Sequence, residues 1–332
     1  AKDTSFQPTD TKGFIAEMQK QFAEVQTIKK KENHREELER KVRDTHRMLM
    51  HDYPVYYDWW LQDGNDAKDI KDGKDVNWFR GSFSRQLSLR MQKLNITTAV
   101  NDTPESIEAA FQSYLKACER RRAERLETFT ANQPEIVFTK FRTLRPSFFA
   151  YTEGVSDARA ECNYFAGGSL SKIKMNGIWA EEETLLTDGD GVYRDPNLHF
   201  DGQHLLFSWK KSAKDDDFHL YEMDLKTRAV KQLTFGKGHA DIEGIYLPDE
   251  NILFNSTRSG SAVDCWFTEV SNMYLCDREG RYMRQVGFDQ VHTTTPTLLD
   301  DGRVVYTRWD YNDRGQVWAQ PLFQMNPDGT GQ

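Results

Sequence analysis

His239, Asp241 and Glu243 alternate along HADIEG, a spacing that in an extended segment turns all three side chains to one side. One imidazole and two carboxylates so placed suit Zn²⁺, Mn²⁺ or Ca²⁺, the donor mix deciding which. Cys265, between Asp264 and Trp266, adds a soft ligand or a disulfide partner for Cys276. The competing reading is structural, because aspartates at recurrent places in repeated sheets commonly brace turns by accepting backbone N–H groups. Arg194-Asp195 and His292 stand at places equivalent to the HADIEG acids, just ahead of a turn and an apolar strand. An inward Arg can grip a carboxylate with two hydrogen bonds. Arg194, Asp195, Trp309 and Arg314 are therefore candidate ligand contacts, the last two on the polar, aromatic segment RWDYNDRGQ. His292, Arg308 and Tyr311 are candidates for catalysis. An Arg or a metal would neutralise a uronate carboxylate while His or Tyr takes the α-proton. No Ser/His/Asp nucleophile arrangement or phosphate-cradling glycine loop is apparent.

A repeat must position these residues. SLSKIKMN, FHLYEMD, SNMYLCD and PLFQMN end at Asn176, Asp224, Asp277 and Asn326, about every 50 residues. Each is an alternating apolar strand closed by Asp or Asn. Between them recurs a turn followed by an apolar strand, in FDGQHLLFSW, PDENILFNST and DDGRVVYTRW. Short strands at this period predict β-propeller blades, which bury their faces against each other because one blade cannot bury both alone. Four blades are visible, over residues 135–187, 188–235, 239–288 and 289–332. The fourth ends inside a turn where another strand is due, and an open ring would expose strand edges. The ring is thus expected to be incomplete in this chain, with a second polypeptide or a further C-terminal segment supplying the rest.

Residues 1–133 read as a helical N-terminal domain and 134–332 as the blades, a mainly β chain with a helical lead. Ile15, Met18, Phe22, Val25 and Ile28 form an amphipathic stripe, and helical composition runs from Gly13 to about Leu49. Thr103-Pro104-Glu105-Ser106 opens a second long helix that reaches about Phe129. Tyr53, Tyr56, Tyr57, Trp59 and Trp60 cluster between them. These rings either stack on a sugar or glue a helical lid in place.

The net charge of -8 argues against a nucleic-acid sleeve, and no apolar run approaches the roughly 20 residues of a membrane span. The four cysteines, Cys118, Cys162, Cys265 and Cys276, form no C-x-x-C-H, so this chain cannot attach a c-type haem.

The stretches YRDPNLHFDGQHLLFSWKK, QLTFGKGHADIEGIYLPDENILFNSTR and FDQVHTTTPTLLDDGRVVYTRWDYNDRGQ resemble the TolB/WD40-like propeller region of proteins related to the hydrazine synthase α-subunit. The resemblance covers roughly residues 134–332 and implies a propeller fold and a secreted or periplasmic location. Hydrazine chemistry in that family needs a haem motif that this chain lacks, so fold is implied and reaction is not. The leading expectation is a ligand- or partner-binding assembly module, with a glycan or another protein as its ligand. The alternatives are a metal-assisted uronate lyase or hydrolase, and the propeller part of a multihaem redox enzyme whose haem domain lies elsewhere.

Overall fold

The computed structural model describes residues 10–64, 79–132, 135–142, 164–263, 268–309 and 320–332. The chain divides into two compact units. The first comprises Ala1–Pro134 together with Met175–Glu181, and the second comprises Glu135–Lys174 and Glu182–Gln332.

In the first unit the described helices are α1 (Thr11–Lys29), α2 (Arg35–Asp52), α3 (Pro54–Asp63), α4 (Phe83–Lys93) and α5 (Pro104–Asn132). Helix α1 starts where Asp10 accepts the Gly13 N–H at 2.7 Å, and it buries the stripe from Phe14 to Ile28. The helical composition expected through Leu49 is broken by a turn containing Asn33, which takes a left-handed φ of 56°. Pro54 starts α3, where its missing N–H costs nothing. The aromatic cluster is glue. Tyr56, Tyr57, Trp59 and Trp60 are buried, Trp60 stacks on Phe83 at 5.0 Å, and the Arg90 guanidinium lies 3.9 Å over Trp60. Those ring faces are occupied by protein, so the sugar-stacking reading fails for them. Asp63 at the end of α3 accepts the Tyr114 hydroxyl at 2.8 Å and pairs with Arg121, tying α3 to α5.

Among the described residues the second unit forms four separately hydrogen-bonded sheets in chain order. The first is β1 (Glu135–Phe141), β2 (Gly168–Asn176) and β3 (Trp179–Asp188). The second is β4 (Val192–Leu198), β5 (His204–Lys210), β6 (His219–Asp224) and β7 (Val230–Gln232). The third is β8 (Asp241–Tyr246), β9 (Ile252–Ser256), β10 (Asn272–Cys276) and β11 (Arg284–Gln285). The fourth is β12 (Thr293–Leu298), β13 (Val304–Arg308) and β14 (Leu322–Met325). Sequential strands pair antiparallel throughout the last three sheets and between β1 and β2. The helical lead followed by successive antiparallel sheets is the architecture the repeat implied.

The recurrent aspartates close the strand turns. Asp224 Oδ1 accepts the N–H groups of Lys226 and Thr227 at 2.8 and 2.7 Å, and Asp277 Oδ1 accepts those of Glu279 and Arg281 at 2.9 and 2.7 Å. Apolar faces then meet between sheets. Leu206 and Leu220 of the second pack with Tyr246 and Phe254 of the third, and Leu253 and Met273 of the third pack with Val304 and Tyr306 of the fourth. Gly244 is fixed by this approach, since a Cβ there would lie 2.8 Å from Leu206 Cδ2. Strand β1 lies against β4, β4 against β8, and β8 against β12. Cys118 and Cys276 are free, buried thiols, while Cys265, considered as a disulfide partner for Cys276, lies outside the described residues. Burial pushes the Cys276 thiol up to about 12, out of reach of thiolate chemistry near neutral pH.

Candidate functional site

Three leading strands carry the same local device. The register of β4, β8 and β12 slips between Arg194 and Asn197, Ile242 and Ile245, and Thr294 and Thr297. At each slip one non-glycine residue is left-handed: Asp195 at φ 54°, Glu243 at 56° and Thr295 at 52°. The bulge aims the Asp195 and Glu243 side chains at the next sheet. Asp195 Oδ2 accepts the Glu243 N–H at 3.0 Å, and Glu243 Oε2 accepts the Thr295 N–H at 2.6 Å. Arg194 bridges the two acids, donating to Asp195 at 2.6 Å and to Glu243 Oε1 at 3.1 Å, and it also donates to the Tyr164 hydroxyl at 3.0 Å. Asn255 donates to Glu243 Oε2 at 2.8 Å and accepts from Thr293 Oγ1 at 2.8 Å. Arg194 and Asp195, expected at a ligand, thus spend these hydrogen bonds on each other, on Tyr164 and on Glu243 of the third sheet.

Asp241 turns elsewhere. It is fully buried, and its carboxylate receives Ser256 Oγ at 2.6 Å, Arg258 Nε and Nη2 at 3.0 and 2.7 Å, and a His219 contact at 3.4 Å. Burial pushes its pKa up, but the bonds from His219, Arg258 and Ser256 outweigh that and hold it below the usual carboxylate range. Asp241 is met by Ser256 and Glu243 by Asn255, consecutive residues of β9 that point to opposite faces. His239 precedes β8, and its Nε2 faces the Phe235 carbonyl at 3.2 Å. The expected alternation of the three donors is therefore undone by the bulge, and they do not converge. Cys265, Tyr311 and Arg314 lie outside the described residues.

His292 and Trp309 sit together, both buried, with rings stacked at 5.4 Å. The Ser271 N–H donates to His292 Nδ1 at 3.1 Å, and burial pushes the imidazole down to about 4, so it is neutral at pH 7. Arg308 donates to Asp289 at 3.2 Å and lies 3.6 Å over the Phe323 ring.

A different cluster, unforeseen from the sequence, occupies the turn between β4 and β5. Asp201 Oδ1 accepts the N–H groups of Gln203 and His204 at 2.7 and 3.2 Å. Its Oδ2 lies 2.7 Å from His204 Nδ1 and 3.0 Å from His199 Nδ1. The far nitrogen of His199 meets Glu250 Oε2 at 3.0 Å, and Arg278 Nη1 donates to that same oxygen at 2.9 Å. Arg278 also donates to Glu222 at 3.2 Å, as does the Tyr246 hydroxyl at 2.8 Å. Among the described residues His199, Asp201 and His204 are the one group of three donors close enough to share a metal ion. The signal was H-x-D-x-x-H, which begins one residue before the recurrent FDGQH phrase.

No family model and no curated protein matches the sequence. Solved structures do. TolB from Acinetobacter baumannii is 19% identical over 48% of this chain and 38% of its own, with a TM-score of 0.35. Kuenenia stuttgartiensis hydrazine synthase is 16% identical over 59% of this chain and 31% of its own, at 0.43. An oligogalacturonate lyase in complex with manganese is 15% identical over 48% and 45%, at 0.35. The chain spans less than half the length of each. These likenesses, all at TM-scores below 0.5, lend none of their chemistry to this chain.

Proposed function

We propose that this chain is a secreted or periplasmic propeller-type module that binds a partner or ligand, related to the propeller of hydrazine synthase α-type proteins and without a haem of its own. A further strand, from another polypeptide or another segment, completes its first sheet. One observation carries this reading. Strands β5, β9 and β13 each pair on both edges, with a leading strand on one side. Their counterpart β1 pairs, among the described residues, with β2 alone. Its apolar side chains Ile136, Val137 and Phe138 are half-buried and Phe141 is exposed. A row of free N–H and C=O groups beside such residues is what an added strand takes up. The inner acids and arginines brace the sheets, which favours a binding role over a catalytic one.

Hydrogen–deuterium exchange tests the open edge. The β1 amides that do not point at β2 should exchange far faster than those of β5 and β9. Equal protection along all of β1 would show the edge already covered and sink the proposal. Incubation with oligogalacturonates tests the role, where no unsaturated uronate chromophore is expected. Its appearance would replace the module with a lyase.

A further inference from the structure

We propose that His199, Asp201 and His204 bind a zinc ion on the turn between β4 and β5. The turn gathers the donors. His199 N–H donates to the His204 carbonyl at 2.9 Å, and Gly202, at φ 68°, donates to the His199 carbonyl at 2.9 Å. The ligand atoms lie within 4.8 Å of one another, around Asp201 Oδ2. Ligands at the usual zinc bond lengths of about 2.0–2.2 Å stand about 3.3 Å apart in a tetrahedron, so a small shift seats the ion.

Glu250 is the independent observation. A carboxylate that takes the Nε2–H of His199 fixes the tautomer whose lone pair is on Nδ1, the arrangement that metal-bound imidazoles use. Nδ1 then lies 3.0 Å from Asp201 Oδ2, close enough for one ion to bridge the two. The Asp201 N–H reaches Nδ1 at a long 3.2 Å, and this is the bond an ion displaces. Charge points the same way. Asp201, Glu250 and Glu222 face the single guanidinium of Arg278, which leaves two negative charges when both imidazoles are neutral. Two imidazoles and one carboxylate select zinc over calcium or magnesium, which take oxygen ligands throughout. Asp201 and His204 are only partly covered, so the fourth position is open to water or to a donor from a partner.

The test is calorimetric titration of tag-free, chelator-stripped protein with Zn²⁺. One equivalent should bind, with affinity falling at least tenfold in H204A and in D201N, whose amide oxygen still accepts the turn N–H groups. E250Q should weaken binding by about tenfold or more through His199. Zinc should also raise the melting transition of the unit that holds the sheets in the wild type and leave that of H204A unmoved. Absence of a stoichiometric site in the wild type, or wild-type affinity in H204A and D201N, overturns the proposal.

Discussion

His292 is held neutral by burial and by the N–H it accepts from Ser271, and that makes it a pH-sensitive element of stability. Its folded pKa of about 4 lies below the ordinary value of 6.5. The unfolded chain therefore binds the extra proton first as pH falls. Its stabilising contribution is complete above about pH 6.5 and drains away as pH drops toward 4, by up to about 3 kcal/mol. Denaturant unfolding between pH 7 and pH 4.5 should show this loss, and H292N, which keeps an acceptor for Ser271, should flatten it. An unchanged slope would mean the imidazole titrates normally. The sequence marked Arg194, Asp195, Asp241, Glu243 and His292 as recurrent positions, and the structure uses them in recurrent ways. Their partners were illegible, because an ion pair such as Asp241 with Arg258 depends on the side to which the chain turns as it leaves β9. His199 was missed because its role appears only once the turn folds its ring back over Asp201.

The leading strands β4, β8 and β12 show why periodicity alone misplaced the donors. Alternation holds for a regular strand, but each of these inserts a left-handed residue and changes face partway along. The cost of a left-handed non-glycine residue, about 1–3 kcal/mol, is offset by what the bulge reaches. Glu243 illustrates the exchange, for its carboxylate satisfies Arg194, Asn255 and the Thr295 N–H at once. E243A keeps the same backbone demand and removes all three bonds. It should destabilise the fold by about 3 kcal/mol, read from the midpoint of urea unfolding, while E243Q should recover part of that loss. A loss under about 0.5 kcal/mol would show that water replaces the carboxylate. The acid string ends at Thr295, whose hydroxyl turns back to Thr307 Oγ1 of its own sheet at 3.1 Å. The strand-and-turn phrases were legible because Asp turns and apolar alternation are local. Helix α4 was not, since FSRQLSLRMQK is polar enough to pass for a loop until Phe83, Leu87 and Met91 find α3 and α5.

The two units carry separate hydrophobic cores. The helical core gathers Phe14, Phe22, Trp59, Trp60, Phe83 and Phe111, while the sheets bury their own clusters around Phe207, Phe254 and Tyr306. Cooperative unfolding follows core contiguity, so the chain should melt in two calorimetric transitions rather than one. Trp60 and Phe207 assign them. Each is almost wholly buried, and truncation to Ala leaves a cavity worth about 3–5 kcal/mol. W60A should lower one transition and F207A the other, each leaving its counterpart within a degree or two. If both variants instead shift a single shared transition by the same amount, the two cores unfold as one. Zinc offers a cross-check, because an ion held by His199 and His204 stabilises only the transition that F207A lowers.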